Sequence, residues 1–445
     1  MRLPPDLVSL NIRMKELRFQ YGSTTLAVPL PGEVEADTLE TKTWPGLPDP
    51  SGAIREALRN PIGSEPLPKI VRAGERVAIL VNDITRLVRS DIFLPVLLNE
   101  LNAAGIPDRD IFVVFALGIH RRQSVEEQRR IVGDEVARRV ALYDHDCHDR
   151  KNLVRIGQTA RGNEVWINRR VHEADRVILT GEIIYHLIAG YSGGRKSVVP
   201  GVAGAETTTF NHKFILHPQC RSGILDGNPA HEDLLEACRL LEPDFLLNVI
   251  LNPAGQLVHV LAGHFELAHR AGCALVDQMY RVPISRLYDL VLAGAGGLPF
   301  DLDLRQAHKG MENASRALAP DGAMVYFAEC RDGLGSRKFE EWVDTYASSA
   351  EMVSELRRNF VVGGHKAYWV VRLGERWRIS LASSLEERFV RQCHLHPVSD
   401  AAMTIRDEIA RLGPGGRIAY IPHAGFVLPT LEVAAAKEAE KILQV

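Results

Sequence analysis

Three short apolar runs constrain the fold of this chain more than any other feature. They span residues 76–82, 111–117 and 174–181, and each is rich in Val, Ile, Leu or Phe. Runs of this length without alternation are typical of strands that are covered on both faces, as in a parallel sheet. Helical stretches follow at 91–104 and 124–132. This alternation predicts an α/β fold with mainly parallel sheets.

The alternation of predicted strands and helices continues in the second half of the chain. A length of 445 residues is enough for two or three domains. We predict an N-terminal α/β domain over residues 1–280 and a C-terminal α/β domain over 281–413. The last strand, at 416–422, is expected to return to the first sheet, so that 414–445 completes the N-terminal domain. A helix is predicted at 431–443, and a β-hairpin at 17–31.

Composition excludes several classes of protein. Lys and Arg number 53 against 56 Asp and Glu, a formal charge of −3, which argues against nucleic-acid binding. The six cysteines form no C-x-x-C pair, which suits a reducing compartment. The N-terminus lacks the apolar core of a signal peptide, and no apolar run approaches a membrane span. We therefore expect a cytoplasmic enzyme with neither a nucleic-acid nor a membrane partner.

Polar residues follow the predicted strands where ligands bind in open α/β sheets. Asp83 and Arg86 follow the first run, His120 the second and His186 the third. Asp83 could instead cap the next helix, and a lone His after a strand is more often structural. Three such strand ends in one alternation nevertheless favour a shared ligand site.

A glycine-rich stretch at 183–212 contains several reactive side chains close together in the sequence, including His186, Lys196 and His212. A phosphate loop would need Gly immediately before the lysine, and Arg195 occupies that position. The remaining alternative is a surface loop with a solvated lysine, which leaves both histidines unexplained. We therefore expect a ligand-binding loop.

The second half contains one further candidate site. Residues 294–299 begin like a dinucleotide-binding motif, but Pro299 replaces its third glycine. Gln306 and Lys309 lie three apart at the start of the next helix, which would suit an anion. The alternative is a solvated helix start.

These residue types allow several chemistries for an anionic small molecule. Two histidines suit a two-base mechanism, in which each takes a proton from one of two mirror-image substrates. A lysine among glycines could be a covalent attachment point. A metal inferred from histidine alone would be Zn, Ni, Cu or Fe, and no H-E-x-x-H motif singles one out.

Separated motifs along most of the chain resemble the lactate racemase family, which uses a nickel-pincer nucleotide. They agree with the family in residue type and in spacing. The motifs are YG at Tyr21-Gly22, PIGS at 61–64, DITR at 83–86, ALGIH at 116–120, HD at His145-Asp146, H…AGYSGGRK…PGVAG…NH at 186–212, QAHKG at 306–310 and HKAYW at 365–369.

The resemblance implies a cofactor and a set of residues that hold it. Lys196 would form a thioamide to the pyridinium ring of the nickel-pincer nucleotide. His212 would be the fourth nickel ligand in a square plane, a geometry that suits Ni(II). The neighbouring loop residues Tyr191, Gly193, Gly194 and Arg195 are expected to bind the cofactor. Separate maturation enzymes would supply it in trans.

The resemblance also implies the reaction, which is racemisation or epimerisation of a 2-hydroxy acid by reversible hydride transfer. His120 and His186 would be alternate general acids and bases, with Asp83 and Arg86 beside them. The substrate would be held by Arg86, Arg305, Gln306, Lys309 and Trp369. The family fold has two α/β domains with the active site in the cleft between them.

Two positions depart from the family pattern. Arg305 stands where the lactate enzymes carry Tyr, and Tyr185 stands where Pro is usual. An extra guanidinium could meet a second carboxylate or a polyhydroxy chain. The substrate could therefore be a short aliphatic 2-hydroxy acid, a malate-like diacid or a sugar acid epimerised at carbon 2.

Two competing hypotheses use the same residues. One is a zinc-dependent hydrolase or lyase with His120, His186 and His212 as ligands. The other is a non-catalytic protein that binds or stores the nickel nucleotide.

Overall fold

The computed structural model describes residues 10–361 and 363–432. The chain divides into two compact units, of which one is Thr43–Gln278 and the other combines Met1–Lys42 with Met279–Val445. Among the described residues no helix is both long enough and apolar enough to cross a membrane.

The N-terminal segment forms the predicted hairpin, which is longer than the sequence indicated. Its strands are β1 (Leu10–Tyr21) and β2 (Thr24–Thr38), paired antiparallel. Gly22 lies in the turn with a φ of +58°, a conformation that favours glycine.

The unit Thr43–Gln278 alternates strands and helices as predicted. Its elements are α1 (Pro50–Arg59), α2 (Leu67–Ile70), β3 (Val77–Val81), α3 (Ser90–Ala103), β4 (Ile111–Phe115), α4 (Val125–Arg139), β5 (Ala141–Asp144), β6 (Leu153–Gln158), β7 (Glu164–Asn168), α5 (Arg169–His172), β8 (Arg176–Glu182), β9 (Tyr185–His186), β10 (Gly190–Tyr191), α6 (Ala205–His212), α7 (Pro229–Leu241), β11 (Phe245–Leu251), β12 (Leu257–Gly263) and α8 (Leu267–Tyr280).

The main sheet of this unit has the order β12-β11-β8-β3-β4-β5. All neighbours are parallel except β12, which pairs antiparallel with β11. Every residue of β3 and β4 is buried, because helices cover both faces of the sheet. Since β8, β3 and β4 are adjacent, the loops at their carboxyl ends lie side by side. These loops carry the residues predicted to form a ligand site, which are Asp83, Arg86, His120 and His186.

The rest of the described chain continues the α/β pattern. Its elements are β13 (Arg281–Ile284), β14 (Tyr288–Gly294), α9 (Leu304–Ser315), β15 (Leu318–Phe327), α10 (Arg337–Thr345), α11 (Ser349–Arg358), α12 (Gly364–Arg376), β16 (Arg378–Ala382), α13 (Glu387–Gln392), β17 (His396–Pro397), α14 (Ala401–Arg411), β18 (Ile418–Ile421) and β19 (Leu428–Leu431).

The unit that combines Met1–Lys42 with Met279–Val445 corrects the domain prediction in two places. Residues 1–42 belong to this unit and not to the predicted domain 1–280. Its sheet gives the second correction. Its order is β1-β2-β18-β14-β15-β16-β17, so β18 lies between the N-terminal hairpin and β14. The last strand therefore does not return to the sheet of β3 and β4, and 414–432 does not complete the unit Thr43–Gln278. The four residues of β18 are buried, and the strand pairs in parallel with β14, with Leu290 opposite Ile418. The sequence could not predict this pairing, because an apolar strand fits either sheet. The helix predicted at 431–443 falls largely on 433–445, outside the described residues.

Candidate active site

A buried carboxylate orients a solvent-accessible imidazole at the carboxyl ends of β3 and β4. The His120 ring contacts Asp83 through Nδ1 and Oδ2, and the side chains are 47% and 6% exposed. Thr85 also donates to Asp83, from its hydroxyl at 2.6 Å and its backbone N–H at 3.2 Å. Asp83 is not a helix cap, because the residue that precedes α3 is Arg89, in a left-handed conformation.

The environment of Asp83 keeps it ionised. Burial raises the pKa of Asp83, but hydrogen bonds from His120 and Thr85 and the charge of Arg86 outweigh burial and lower it overall. An ionised carboxylate only accepts hydrogen bonds, so in the neutral ring the His120 proton lies on Nδ1 and the lone pair on Nε2. His120 therefore presents a proton acceptor at Nε2.

Arg86 is half-buried, and its positive charge is felt by two carboxylates. Among the described residues its guanidinium makes no side-chain hydrogen bond, and its charge acts on Asp83 and Glu182. Burial raises the pKa of Glu182, at the end of β8, to about 7, although Arg86 opposes this shift. The guanidinium donors of Arg86 can therefore meet a carboxylate ligand.

His186 presents the opposite tautomer to His120. It lies in the two-stranded ribbon β9–β10, and its Nδ1 accepts hydrogen bonds from the N–H groups of Ile188 and Ala189, both at 3.2 Å. A nitrogen that accepts two N–H groups carries no proton, so the ring proton lies on Nε2. The two predicted general acid/bases thus offer a lone pair at one Nε2 and a proton at the other.

Lys196 lies half-buried on the short 3-10 turn Gly194–Ser197. The glycines before it face the protein interior. A Cβ on Gly193 would lie 2.8 Å from the side-chain oxygen of Asn248, and one on Gly194 would lie 2.8 Å from the ring of His269. Both glycines have positive φ, at +72° and +53°. The two glycines therefore allow the loop to pack against the sheet. That Gly193 or Gly194 contacts a cofactor stays a prediction.

Arg195 and Tyr191 also point inward. Arg195 is 1% exposed and donates to the carbonyls of Ala189 at 2.7 Å and Tyr191 at 3.0 Å. Burial lowers the pKa of Arg195 to about 10, so it stays charged at neutral pH. The Tyr191 hydroxyl donates to Asp277 at 2.7 Å. Both side chains therefore hold the loop in place, and their predicted contact with the cofactor stays a prediction.

His212, at the end of α6, has the ring state that a metal ligand needs. Its Nδ1 donates to the carbonyl oxygen of Thr208 at 2.8 Å, which leaves the lone pair on Nε2. A backbone carbonyl on the second nitrogen is the usual way that proteins orient a metal-binding histidine. Among the described residues, however, no three or more His, Cys, Asp or Glu side chains lie close enough to hold a metal by themselves.

The predicted substrate residues of the other unit lie at the start of α9. Asp303 caps this helix by accepting from the Gln306 backbone N–H at 2.7 Å. Lys309 donates to the side-chain oxygen of Gln306 at 2.6 Å, as the spacing of three predicted. Arg305 is 38% exposed, and its Nη2 is 3.4 Å from Asp303, a long contact that a ligand carboxylate could replace.

Two further side chains, His308 and Glu182, were not among the residues predicted from the sequence. His308 is fully buried and donates from Nδ1 to the Arg305 carbonyl at 2.6 Å. Burial, and the charges of Lys366 and Lys309, hold the pKa of His308 well below its usual value, so the ring is neutral. Trp369 is also buried, on α12, and no described residue accepts a hydrogen bond from its Nε1. Glu182 could have been found, because it directly follows the predicted strand at 174–181, whereas the QAHKG motif that contains His308 did not indicate that this ring is buried.

Comparison with known proteins gives the same family for both parts of the chain. Residues 21–223 match the lactate racemase N-terminal domain, and residues 285–427 match the lactate racemase C-terminal domain. The chain therefore belongs to the lactate racemase family, and the resemblance found in its motifs is confirmed.

Individual relatives agree with this assignment. The lactate racemase of Thermoanaerobacterium thermosaccharolyticum is 33% identical over 333 residues, which is 74% of this chain and 78% of that protein. The lactate racemase of Lactiplantibacillus plantarum is 33% identical over 330 residues, 73% of this chain and 77% of that protein. The chain is thus similar to isomerases that act on a hydroxy acid.

Solved structures support the fold. The lactate racemase apoprotein from Thermoanaerobacterium thermosaccharolyticum superposes with a TM-score of 0.84 at 28% identity, covering 93% of this chain and 100% of that one. A protein from Thermotoga maritima gives a TM-score of 0.64 at 19% identity, covering 88% of this chain and 100% of that one, a likeness of fold alone. The predicted α/β class with mainly parallel sheets is confirmed.

Proposed function

We propose that this protein racemises or epimerises a 2-hydroxy acid by reversible hydride transfer. The observation that carries the proposal is the pair Asp83–His120, in which a buried carboxylate contacts Nδ1 of a half-exposed ring and leaves Nε2 of the neutral ring as a proton acceptor. Such a pair can take the proton of a substrate hydroxyl. Family membership supplies the reaction class.

The residues of this chain fit the nickel-pincer nucleotide that the resemblance implies. Lys196 is a nucleophilic amine on a structured loop, and His212 has its Nε2 lone pair set by Thr208. These two residues would hold the group. When bound, it supplies a hydride acceptor, which is needed because the α-hydrogen of a hydroxy carboxylate is too weakly acidic for a side chain to remove as a proton.

The protein supplies proton transfer and orientation. His120 takes the hydroxyl proton at Nε2 from one enantiomer. His186, whose ring proton lies on Nε2, would return a proton to that oxygen when the product hydroxyl forms, and the two rings exchange these roles for the mirror-image substrate. Arg86, Gln306 and Lys309 would bind the substrate carboxylate, since their donors suit a carboxylate. Trp369 would contribute an apolar contact.

Arg305 favours a substrate with a second anionic or polyhydroxy group. Its guanidinium is partly exposed, its contact with Asp303 is long, and no described residue accepts a hydrogen bond from its Nε. A malate-like diacid would satisfy these donors better than lactate would. The test is a panel of 2-hydroxy acids assayed for loss of optical purity, with Arg305→Tyr expected to shift preference toward lactate.

The cofactor proposal is tested by intact mass and nickel content. The protein is made together with maturation enzymes, beside Lys196→Ala and His212→Ala. We expect a nickel-bearing adduct on the natural sequence, no adduct on Lys196→Ala, and weakened nickel retention on His212→Ala. Unmodified protein that binds zinc tightly would instead support the hydrolase or lyase. An adduct without turnover of any 2-hydroxy acid would support the nucleotide-binding protein.

The cellular setting belongs to the same proposal. All six cysteines are buried and unpaired, which suits the reducing cytoplasm in which we propose that the enzyme acts. Its proposed partners are the small hydroxy acid and the maturation enzymes, with no role for nucleic acid or membrane.

A further inference from the structure

One carboxylate fixes the ribbon that carries His186. Asp277 on α8 accepts hydrogen bonds from the Tyr185 hydroxyl at 2.8 Å and from the Tyr191 hydroxyl at 2.7 Å, both at Oδ1. The two tyrosines are directly opposite each other in the β9–β10 register, with ring centroids 5.4 Å apart. The carboxylate therefore ties the two strands together at this end of the ribbon.

The other side of the ribbon is fixed by close backbone packing. Gly190 pairs with His186, and a Cβ on Gly190 would lie 2.0 Å from the carbonyl oxygen of Ile224. Gly223 donates its N–H to the Gly190 carbonyl at 3.0 Å. The Ser192 hydroxyl donates to the Glu182 carbonyl at 2.7 Å. The ribbon thus cannot slide without breaking several contacts at once.

The fixed ribbon determines how the His186 ring is presented. The N–H groups of Ile188 and Ala189 reach Nδ1 only while the segment between β9 and β10 keeps its shape. With both bonds present the proton lies on Nε2. If the ribbon loosened, the ring could turn and carry its proton on either nitrogen.

We infer that Asp277, Tyr185 and Tyr191 are positioning residues that set the orientation and the tautomer of His186. The inference rests on the proposed function, in which His186 exchanges the hydroxyl proton of one enantiomer. None of the three has to touch the substrate for this role. Their effect is to make the two histidines unequal, because His120 is held by a carboxylate and His186 by backbone amides.

The first test is independent of the cofactor. The ring nitrogens of the full-length protein are observed by ¹⁵N NMR, and His186→Gln identifies the signals of His186. We expect a single tautomer with the proton on Nε2 in the natural sequence. The double variant Tyr185→Phe/Tyr191→Phe should give averaged or split signals, and Tyr185→Phe alone a smaller change. An unchanged His186 ring in the folded double variant would overturn the inference.

A matched control removes the same kind of bond elsewhere. The Tyr288 hydroxyl donates to Asp37 at 2.8 Å in the other unit, so Tyr288→Phe loses an equivalent phenol–carboxylate bond. This variant should leave the His186 signals unchanged. Changed His186 signals in Tyr288→Phe would mean that general destabilisation moves the ring, which would also overturn the inference.

The second test measures catalysis by the loaded enzyme. We expect kcat of the double variant to fall by about 10- to 100-fold with KM changed little, because misplacing a reacting group by about 1 Å can cost on the order of 100-fold. Altered ring signals with unchanged kcat would overturn the link to catalysis. If the natural sequence racemises no hydroxy acid, the proposed function fails, and the NMR comparison still decides the positioning role.

Discussion

At the scale of single residues, the proposed chemistry depends on which ring nitrogen carries a proton. Asp83 holds the His120 proton on Nδ1, and two backbone amides hold the His186 proton on Nε2. Both histidines follow predicted strands in the sequence, but their hydrogen-bond partners in the structure favour opposite tautomers.

Replacing Asp83 by Asn tests the first of these states. The amide can donate to Nδ1 and so favour the wrong tautomer of His120, as in other carboxylate–imidazole pairs. We expect kcat/KM to fall by about 10²- to 10⁴-fold with the fold intact. Steady-state kinetics of the loaded enzyme measure the loss, and Asp110→Asn, before β4 at the amino end of the sheet, is the control. Equal activity in Asp83→Asn would exclude the carboxylate from the mechanism.

Glu182 gives a prediction for the pH dependence of stability. Its pKa is raised from 4.5 to about 7, so folding becomes less favourable as pH rises through this window and levels off above it. Glu182→Gln removes the penalty. We expect this variant to be more stable by about 1–2 kcal/mol at pH 8 and nearly unchanged below pH 4.5, allowing for partial exposure.

The measurement is urea unfolding of the natural sequence and the variant at both pH values. Glu164→Gln changes an exposed carboxylate of β7 and serves as the control. If Glu182→Gln and the natural sequence differ in stability by the same amount at pH 8 and at pH 4, Glu182 does not titrate between these pH values.

At the scale of elements, α9 combines a structural role with substrate selection. Asp303 caps the helix through the Gln306 N–H and also contacts the Arg305 guanidinium. Asp303→Asn keeps a capping oxygen and removes the charge, whereas Asp303→Ala removes both.

We therefore expect the two substitutions to differ in stability. Asp303→Ala should lower the free energy of unfolding by about 1 kcal/mol, and Asp303→Asn by much less. In both variants Arg305 loses its ion pair, so KM for a diacid should fall. Thermal unfolding and kinetics measure these effects, with Asp400→Ala at the cap of α14 as the control for stability alone. A diacid KM that stays unchanged in both would argue against a substrate role for Arg305.

At the scale of the whole molecule, chain continuity differs between the two units. Thr43–Gln278 is one uninterrupted segment, whereas the sheet of the other unit needs β18 between β2 and β14. A fragment spanning 43–278 should therefore fold alone with a cooperative urea transition. A fragment spanning 279–413 should not, because its sheet would lack the central strand β18 and the hairpin joined to it. Circular dichroism during unfolding measures both, and a cooperative transition in 279–413 would contradict this view.

The secondary structure and the core were largely predictable from local pattern. Buried strands such as β3 and β4 are continuous apolar runs, and the helix predicted at 124–132 is formed, with Ser124 and Glu127 in a capping box at its start. The partner of β18 was not predictable, because a short apolar strand fits either sheet equally well. The burial of His308 was not predictable either, because it depends on the elements that pack around α9.

The sequence by itself determined the α/β class, the family and the set of reactive side chains at the strand ends, because these depend on local periodicity and on residue spacing. Only the tertiary structure decided where those side chains point. It directed the side chains of Tyr191 and Arg195 toward Asp277 and His269 in the protein interior and placed Asp83 against His120. These partners lie far away along the chain, so local sequence does not reveal them. It also assigned β18 to its sheet, because strand pairing is decided by three-dimensional register and not by composition.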